Sequence, residues 1–320
     1  VIIGTHALFQ DKVIFHKLAL AIIAEQHRFG VHQRMALQHK GAYPHQLVMT
    51  ATPIPRTLTM TLYADMDVSV IDELPKGRQP ITTHTAAQPK RPELIERLRK
   101  ILAQGQQAYW VCTLIEPSEE IEALSAEEAF DLLRQELPEF RVALLHGRMK
   151  GDEKVEVMRA FKAGEYQLLV ATTVVEVGVD VPNATQMFIE NAERLGLAQL
   201  HQLRGRVGRG SKASRCFLLF KPGVSQAGQH RLNALRQSQD GFYLAEQDLK
   251  LRGPGDILGT RQSGEQSFKI ADLSEHAHLM PRVVQRCETM MNAAPASDDG
   301  IYLTGLLNTW AASDNAHLSV

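Results

Sequence analysis

Gln199-Leu200-His201-Gln202-Leu203-Arg204-Gly205-Arg206-Val207-Gly208-Arg209-Gly210 sets three arginines among three glycines, directly after a helix-compatible apolar run. Glycine lets a backbone come close to a ligand, and arginine brings a planar, permanently charged fork that matches phosphate oxygens. The stretch reads either as a polyphosphate grip or as a basic surface turn, and its surroundings decide between them. Back to Ile81, strand-like runs alternate with helical spacing. Ile81 to Thr85, Ala108 to Thr113, Val142 to Leu145, Leu168 to Val170, Gln186 to Ile189 and Cys216 to Phe220 are strands by composition. Between them, Leu94, Ile95, Leu98, Ile101 and Leu102 give Pro92 to Leu102 a helical face, and Glu119 to Glu136 is an acidic helix. Asp152 to Lys162 turns Val155, Met158 and Phe161 to one side before Gly164 stops it. Such alternation describes one doubly wound α/β lobe with a parallel sheet.

Upstream, only half of such a lobe is legible. Val1-Ile2-Ile3 is a short buried-strand candidate, Leu18 to Ala24 suits a parallel strand buried on both faces, Leu47 to Met49 is a third strand and Val68 to Ile71 a fourth. Polar clusters follow these strands: Gly4-Thr5-His6, Glu25-Gln26-His27-Arg28 and Thr50-Ala51-Thr52-Pro53-Ile54-Pro55-Arg56-Thr57. A site at the carboxyl ends of a parallel sheet produces that pattern. Leu74-Pro75-Lys76-Gly77-Arg78-Gln79-Pro80 then punctuates the chain, so the expected divisions are 1–76, 77–222 and 223–320. Past Pro222, Gln229 to Gln239 and Tyr243 to Leu251 read as a helical hairpin turning at Asp240-Gly241. Arg252 to Gly264, rich in glycine, reads as an exposed, shaped loop, and Met280 to Met291 as a helix.

At 44% hydrophobic, the 320 residues can build ordinary cores, and a net charge of −1 leaves nucleic-acid contact to local patches. Cys112, Cys216 and Cys287 are widely spaced without a C-x-x-C pair, which argues against a disulfide framework or zinc site and fits a reducing cytoplasm. The histidines from His6 to His84 show no three-ligand metal spacing. The longest apolar run falls far short of a membrane span, and no signal peptide is visible. The chain starts inside a strand-like run without methionine, so it is expected to be a piece of something longer.

The order of the polar clusters resembles the motif order of superfamily 2 helicases: Gly4-Thr5-His6, Glu25-Gln26-His27, Thr50-Ala51-Thr52-Pro53, Val170-Ala171-Thr172-Thr173 through Gly178-Val179-Asp180, then Gln202 to Arg209. Glu25 to Val31, Met49 to Thr57 and the Arg252 to Gly264 loop resemble the bacterial RecG family more narrowly, up to about residue 273. The resemblance implies RecA-like helicase lobes, one partial and one complete, followed by a mainly helical C-terminal region. It also implies an ATP-dependent double-stranded DNA translocase of DNA repair and recombination, acting on stalled forks and Holliday junctions. ATP and Mg²⁺ are its cofactors, and single-stranded DNA-binding protein is a further expected partner. A transcription-repair coupling factor is the alternative enzyme, and Arg252-Gly253-Pro254-Gly255 favours RecG over it. A helicase remnant that binds DNA without turnover is the alternative of another class.

Carried over residue by residue, the resemblance makes Glu25 the group that orients or deprotonates the attacking water, with Gln26 and His27 sensing the γ-phosphate. Arg206 and Arg209 match the arginine fingers, and Gln202 helps position them. Gly178 and Asp180 match the nucleotide contact of the second lobe. Thr5, Thr172 and Thr173 match contacts to the DNA backbone, and Thr52 and Arg56 match the segment that couples nucleotide state to lobe movement. Arg252, Arg261 and Gln262 match the translocation motif. Two features depart from the family: Ala24 stands where it has the Mg²⁺-linked aspartate, and no G-x-x-x-x-G-K-[ST] occurs in the chain. The chain alone is therefore expected not to hydrolyse ATP.

Overall fold

The computed structural model describes residues 1–10, 12–25, 40–41, 44–50, 67–71, 73, 78–113, 119–173, 180–252, 276–292, 294 and 296–310. The chain divides into two compact units, Val1–Pro53 with Pro75–Gln247, and Ile54–Leu74 with Asp248–Val320. In the first unit, β1 (Leu20–Ala24) and β2 (His45–Met49) pair in parallel from Leu20↔His45 to Ala24↔Met49. Side chains alternate along a strand. Here Ala21 and Ile23 are buried with Phe9 and Phe15 packed against them, whereas Leu20, Ile22, Leu47 and Met49 are exposed. The expectation of burial on both faces is thus corrected: among the described residues one face of β1 is covered. Val1–Ile3 and Val68–Ile71 are also corrected, since both are exposed and irregular. Neither has a ladder partner among the described residues, and apolar composition without pairing makes no strand.

The second sheet is built by alternation. β3 (Ile81–Ala87) leads to α1 (Arg91–Leu102), β4 (Gln107–Val111), α2 (Glu119–Glu136), β5 (Val142–Leu145), α3 (Gly151–Lys162), β6 (Leu168–Ala171), β7 (Ala184–Ile189), α4 (Leu197–Arg204) and β8 (Ser214–Phe220). These six strands run in the order β3-β8-β7-β4-β6-β5, with every adjacent pair parallel. α5 (Gln226–Gln237) and α6 (Gly241–Arg252) follow, turning at Asp240. α7 (Met280–Met291) and α8 (Asp298–Trp310) lie in the second unit, where the Arg286 guanidinium grips the Asp299 carboxylate at 2.5 and 3.1 Å.

All five apolar positions expected for α1 are buried. Leu94, Ile95, Leu98 and Leu102 join Trp110, Phe188, Leu133 and Val170 in one core. On that face rings stack across four strands: Trp110 on Phe188 at 4.8 Å, Phe188 on Phe217 at 4.9 Å, and Phe217 on His84 at 5.2 Å. The guanidinium of Arg91 covers Trp110 and that of Arg97 covers Phe217. Each aromatic pair contributes about 0.5–1.5 kcal/mol beyond its buried area. One residue of α3 departs from expectation: Met158 and Phe161 are buried, but Val155 is 69% exposed. Three helical residues advance about 300°, so a 155–158–161 row drifts by about 60° per step and leaves the core.

Candidate nucleotide and DNA site

α4 ends at Arg204, and the loop behind it carries the remaining arginines to Gly210. Arg204 itself is 2% exposed and points inward. Its Nη1 donates to Leu235 O at 2.7 Å, Ser238 O at 2.8 Å and Thr83 Oγ1 at 3.5 Å. Burial lowers its pKa. The reading of three arginines as one phosphate grip therefore shrinks to Arg206 and Arg209. The glycines also serve a different end. Gly208 has φ +75°, and a Cβ there would lie 2.8 Å from Ile81 Cγ1, while one on Gly210 would lie 2.6 Å from Pro182 O. They let the loop close on the protein's own β3 and on the segment before β7.

Arg209 Nη1 lies 3.6 Å from Asp180 Oδ1, and its Nε donates to Gly205 O at 3.2 Å. Arg206 is half-buried, as is Gln202 on α4. Beneath them Tyr109 is buried edge-on against Phe161 at 5.1 Å. Burial pushes its phenol up to about 12, with Arg206 and Arg209 pulling it down and Asp180 pushing it up. Two cations and one carboxylate thus share a single neighbourhood on one face of β4. His201, one turn before Gly205, was not legible as special; burial lowers its pKa to about 4, with Arg204 and Arg78 acting in the same sense and Asp240 against it.

At the end of β1, Ala24 is exposed and Glu25 follows at φ +56°, a left-handed conformation uncommon outside glycine. Thr5 is exposed at the start of a short 3₁₀ turn, His6–Phe9. At the end of β6, Thr172 is fully buried, and its Oγ1 has no hydrogen-bond partner among the described residues. Thr173 is the half-buried member of that pair. Gln26, His27, Thr52, Arg56, Gly178, Arg261 and Gln262 lie outside the described residues. Arg252 is described only as the last backbone position of α6.

One polar cluster, at the ends of β4 and β7, has no signature in the sequence. Glu190 Oε1 accepts from Trp110 Nε1 at 2.7 Å and pairs with Arg91 Nη2 at 2.8 Å. Thr113 Oγ1 donates to Glu190 O at 2.6 Å, and Asn191 Nδ2, on a backbone at φ +48°, donates to Thr113 O at 3.1 Å. Burial, then Glu190, raises the neighbouring Cys112 thiol against the pull of Arg91. This cluster ties the strand ends that frame the site. Among the described residues no group of three His, Cys, Asp or Glu side chains could hold a metal ion, and no helix is long and apolar enough to cross a membrane.

Two family models match the chain: the helicase conserved C-terminal domain over residues 93–211, and domain 3, C-terminal, of the ATP-dependent DNA helicase RecG over residues 238–303. The second model is RecG's own and weighs against the coupling-factor alternative. The chain is 60% identical over 287 residues to the ATP-dependent DNA helicase RecG of Escherichia coli, covering 88% of this chain and 41% of that protein. It is 55% identical over 299 residues to that of Haemophilus influenzae, covering 92% of this chain and 43% of the relative. A solved structure of RecG bound to a three-way DNA junction superposes with a TM-score of 0.65 at 45% identity, covering 87% of this chain and 35% of that one. The chain thus spans about two fifths of the length of the curated relatives it matches. Over that span the chain is strongly homologous to the RecG family of bacterial ATP-dependent DNA helicases.

Proposed function

We propose that this chain supplies the C-terminal motor portion of an ATP-dependent double-stranded DNA translocase that remodels stalled forks and branched recombination intermediates. The observation that carries the reading is the setting of Arg206 and Arg209 at the end of α4, beside Asp180 and over Tyr109, in a chain homologous to RecG along 88% of its length. Arg206 and Arg209 act as arginine fingers on the γ-phosphate, a role worth about 10³–10⁵ in rate in related phosphoryl-transfer systems. Gln202 orients them, and Asp180 with Gly178 meets the nucleotide from the same lobe. Glu25 orients the attacking water, and Gln26 and His27 sense the γ-phosphate. Thr5 and Thr173, with Thr172 behind the latter, face the DNA backbone, where hydroxyls and amides fix register without reading sequence. Thr52 and Arg56 couple lobe movement to nucleotide state, and Arg252, Arg261 and Gln262 act on the duplex. Branched DNA as partner is supported by the junction-bound relative; single-stranded DNA-binding protein rests on resemblance alone.

Mg²⁺ does not fit this chain as it stands. The methyl group of Ala24 cannot hold a metal-bound water, and no step is assigned to the ion here. Ala24 and the lack of a phosphate-binding loop among the 320 residues favour, for this chain by itself, DNA binding without turnover. The test uses a full-length family protein containing these residues, with aspartate at position 24. Three-way-junction DNA is expected to stimulate ATP hydrolysis, and Arg206→Ala or Arg209→Ala to abolish it while junction binding persists. Hydrolysis indifferent to both substitutions would overturn the reading.

A further inference from the structure

The ring stack on the α1 side of the six-stranded sheet ends at the sheet's rim, and cations gather there. β3 is the edge strand, paired with β8 alone among the described residues. His84 on β3 lies opposite Phe217 on β8 and stacks on it, with ring centroids 5.2 Å apart and planes 18° from parallel. The Arg97 guanidinium comes down from α1 onto the same ring, 5.2 Å from its centroid. Arg215 stands two residues before Phe217 and so projects from the same face of β8. Burial, then Arg97 and Arg215, hold the His84 pKa below its ordinary 6.5, so both guanidinium charges reach the imidazole.

Three basic groups thus surround one buried phenyl ring, two of them permanently charged. Arg97 is exposed, and Arg215 and His84 are half-buried. Neither guanidinium has an ion-pair partner among the described residues, although Glu93 sits four residues before Arg97. Other arginines nearby are paired: Arg99 with Glu96 and Glu139, Arg91 with Glu190, and Arg159 with Glu156. An exposed cation over a ring contributes only about 0.5–1 kcal/mol, and two like charges converging on one imidazole oppose that gain. The stability of the lobe does not account for the cluster; an anion does.

Spacing extends the cluster along the helix. Lys90, Arg97 and Lys100, seven and three residues apart, share one side of α1 and are all exposed. From Lys90 to Lys100 is about 15 Å of helix, or roughly four nucleotide steps of duplex at about 3.4 Å each. Phe217 stacks through Phe188 on Trp110, whereas Arg206 and Arg209 lie near Tyr109. Successive residues of a strand face opposite sides, so the two groups of arginines occupy opposite faces of the sheet.

We propose that Arg97, Arg215 and His84, with Lys90 and Lys100 along the same rim, form an anion-binding surface that takes backbone phosphates of a duplex DNA arm. A chain with a net charge of −1 meets DNA through local patches, and this is one. The arginine forks match phosphate oxygens, and contacts of this kind fix the position of a duplex without reading its sequence. The inference rests on the translocase reading above and adds to it a place where an arm of branched DNA lies along the flank of the lobe.

The test uses a full-length family protein containing these residues. Arg97→Gln, Arg215→Gln and the double variant are compared with the parent and with Arg159→Gln, which removes the same charge from α3, where Glu156 is its partner. Binding of three-way-junction DNA is followed by fluorescence anisotropy across a NaCl titration, with thermal melting alongside. Each lost phosphate contact lowers the slope of log affinity against log salt by about 0.9. The double variant is therefore expected to lose about 1.8 in slope, each single variant about half of that, and Arg159→Gln nothing, all at parental melting. Parental slopes in the Arg97 and Arg215 variants overturn the inference, whether or not melting falls. So does an equal loss in Arg159→Gln, which reports bulk charge and no local surface. If Arg215→Gln fails to fold, Arg97→Gln, on the exposed residue, decides alone by the same slope. A parent that fails to bind junction DNA removes the translocase reading and this inference with it, whereas a parent that binds, with unaltered slopes in the variants, removes this inference alone.

Discussion

Arg209 and Asp180 are 3.6 Å apart, and both remain open to solvent, at 34% and 53% of their side-chain surface. An exposed pair of that kind contributes at most about 1 kcal/mol to stability. Asp180→Asn should therefore leave thermal melting almost unchanged. Arg209→Lys keeps a charge but loses the fork. In the full-length protein it is expected to lower kcat by about 10³ with melting unaltered. A fall in kcat that simply follows a fall in melting temperature would assign the pair to the scaffold instead.

Ala24 closes β1 immediately before Glu25. Groups that hold a metal through its bound water are typically worth about 10–100-fold in affinity or activity. Replacing Ala24→Asp in the full-length protein should raise Mg²⁺-dependent hydrolysis by that factor. The chain of 320 residues on its own should stay inactive with either residue, because it contains no phosphate-binding loop. Steady-state ATPase assays across a Mg²⁺ titration separate the two effects.

His201 carries a pKa of about 4 against its ordinary 6.5, chiefly through burial. The unfolded chain binds the proton first as pH falls, so this residue's contribution is full above about pH 6.5 and lost progressively down to pH 4. The shift corresponds to roughly 3 kcal/mol. Urea titrations from pH 7 to pH 4 should show stability falling through that window, and His201→Gln should flatten the curve there. An unaltered slope in the variant would place the proton uptake elsewhere.

Gly164 and Gly208 have similar positive φ, +83° and +75°, in different surroundings. Among the described residues nothing lies within 4 Å of a Cβ built on Gly164, so Gly164→Ala should cost only the left-handed strain, about 1–2 kcal/mol. Gly208→Ala also drives a methyl to 2.8 Å from Ile81 and should cost about 2–4 kcal/mol. Equal chemical-denaturation midpoints for the two variants would contradict this packing.

Thr172 buries a hydroxyl that has no partner among the described residues. An unsatisfied buried donor costs about 1–3 kcal/mol, and valine keeps the shape without it. Thr172→Val is expected to raise stability by about 1 kcal/mol, seen as a higher melting temperature. A destabilised variant would mean that the hydroxyl is satisfied in solution, for instance by an ordered water.

Wherever periodicity carries the signal, the fold is legible before the coordinates. Leu94, Ile95, Leu98, Ile101 and Leu102 specify the buried stripe of α1, and the Val142–Leu145 and Glu119–Glu136 segments fall where composition puts them. Pairing is what composition does not encode. Val68, Val70 and Ile71 look like a strand and are none, because a strand depends on a neighbour. The site divides in the same way. The Arg206 and Arg209 spacing is a local pattern, readable as such. Whether an arginine faces water or the interior depends on tertiary packing, so Arg204 is indistinguishable from its neighbours in the sequence and opposite to them in the fold. Glu190 likewise becomes notable only when Trp110 and Arg91 arrive from other elements.

The first strand of the six-stranded sheet takes its ladder bonds from the last, Ile81↔Ser214 through Ala87↔Phe220. During synthesis β3 leaves the ribosome long before β8 and has no strand to pair with until β8 follows. β7 meanwhile offers its free edge to any chain nearby, a known route to misassembly. Closing so distant a pairing is slow. The lobe therefore reaches its native form late and in one event, with the arginine loop, just upstream of β8, among the last parts to be fixed. Translation rate and chaperone supply, as much as the finished contacts, then bear on how much folded protein a cell obtains.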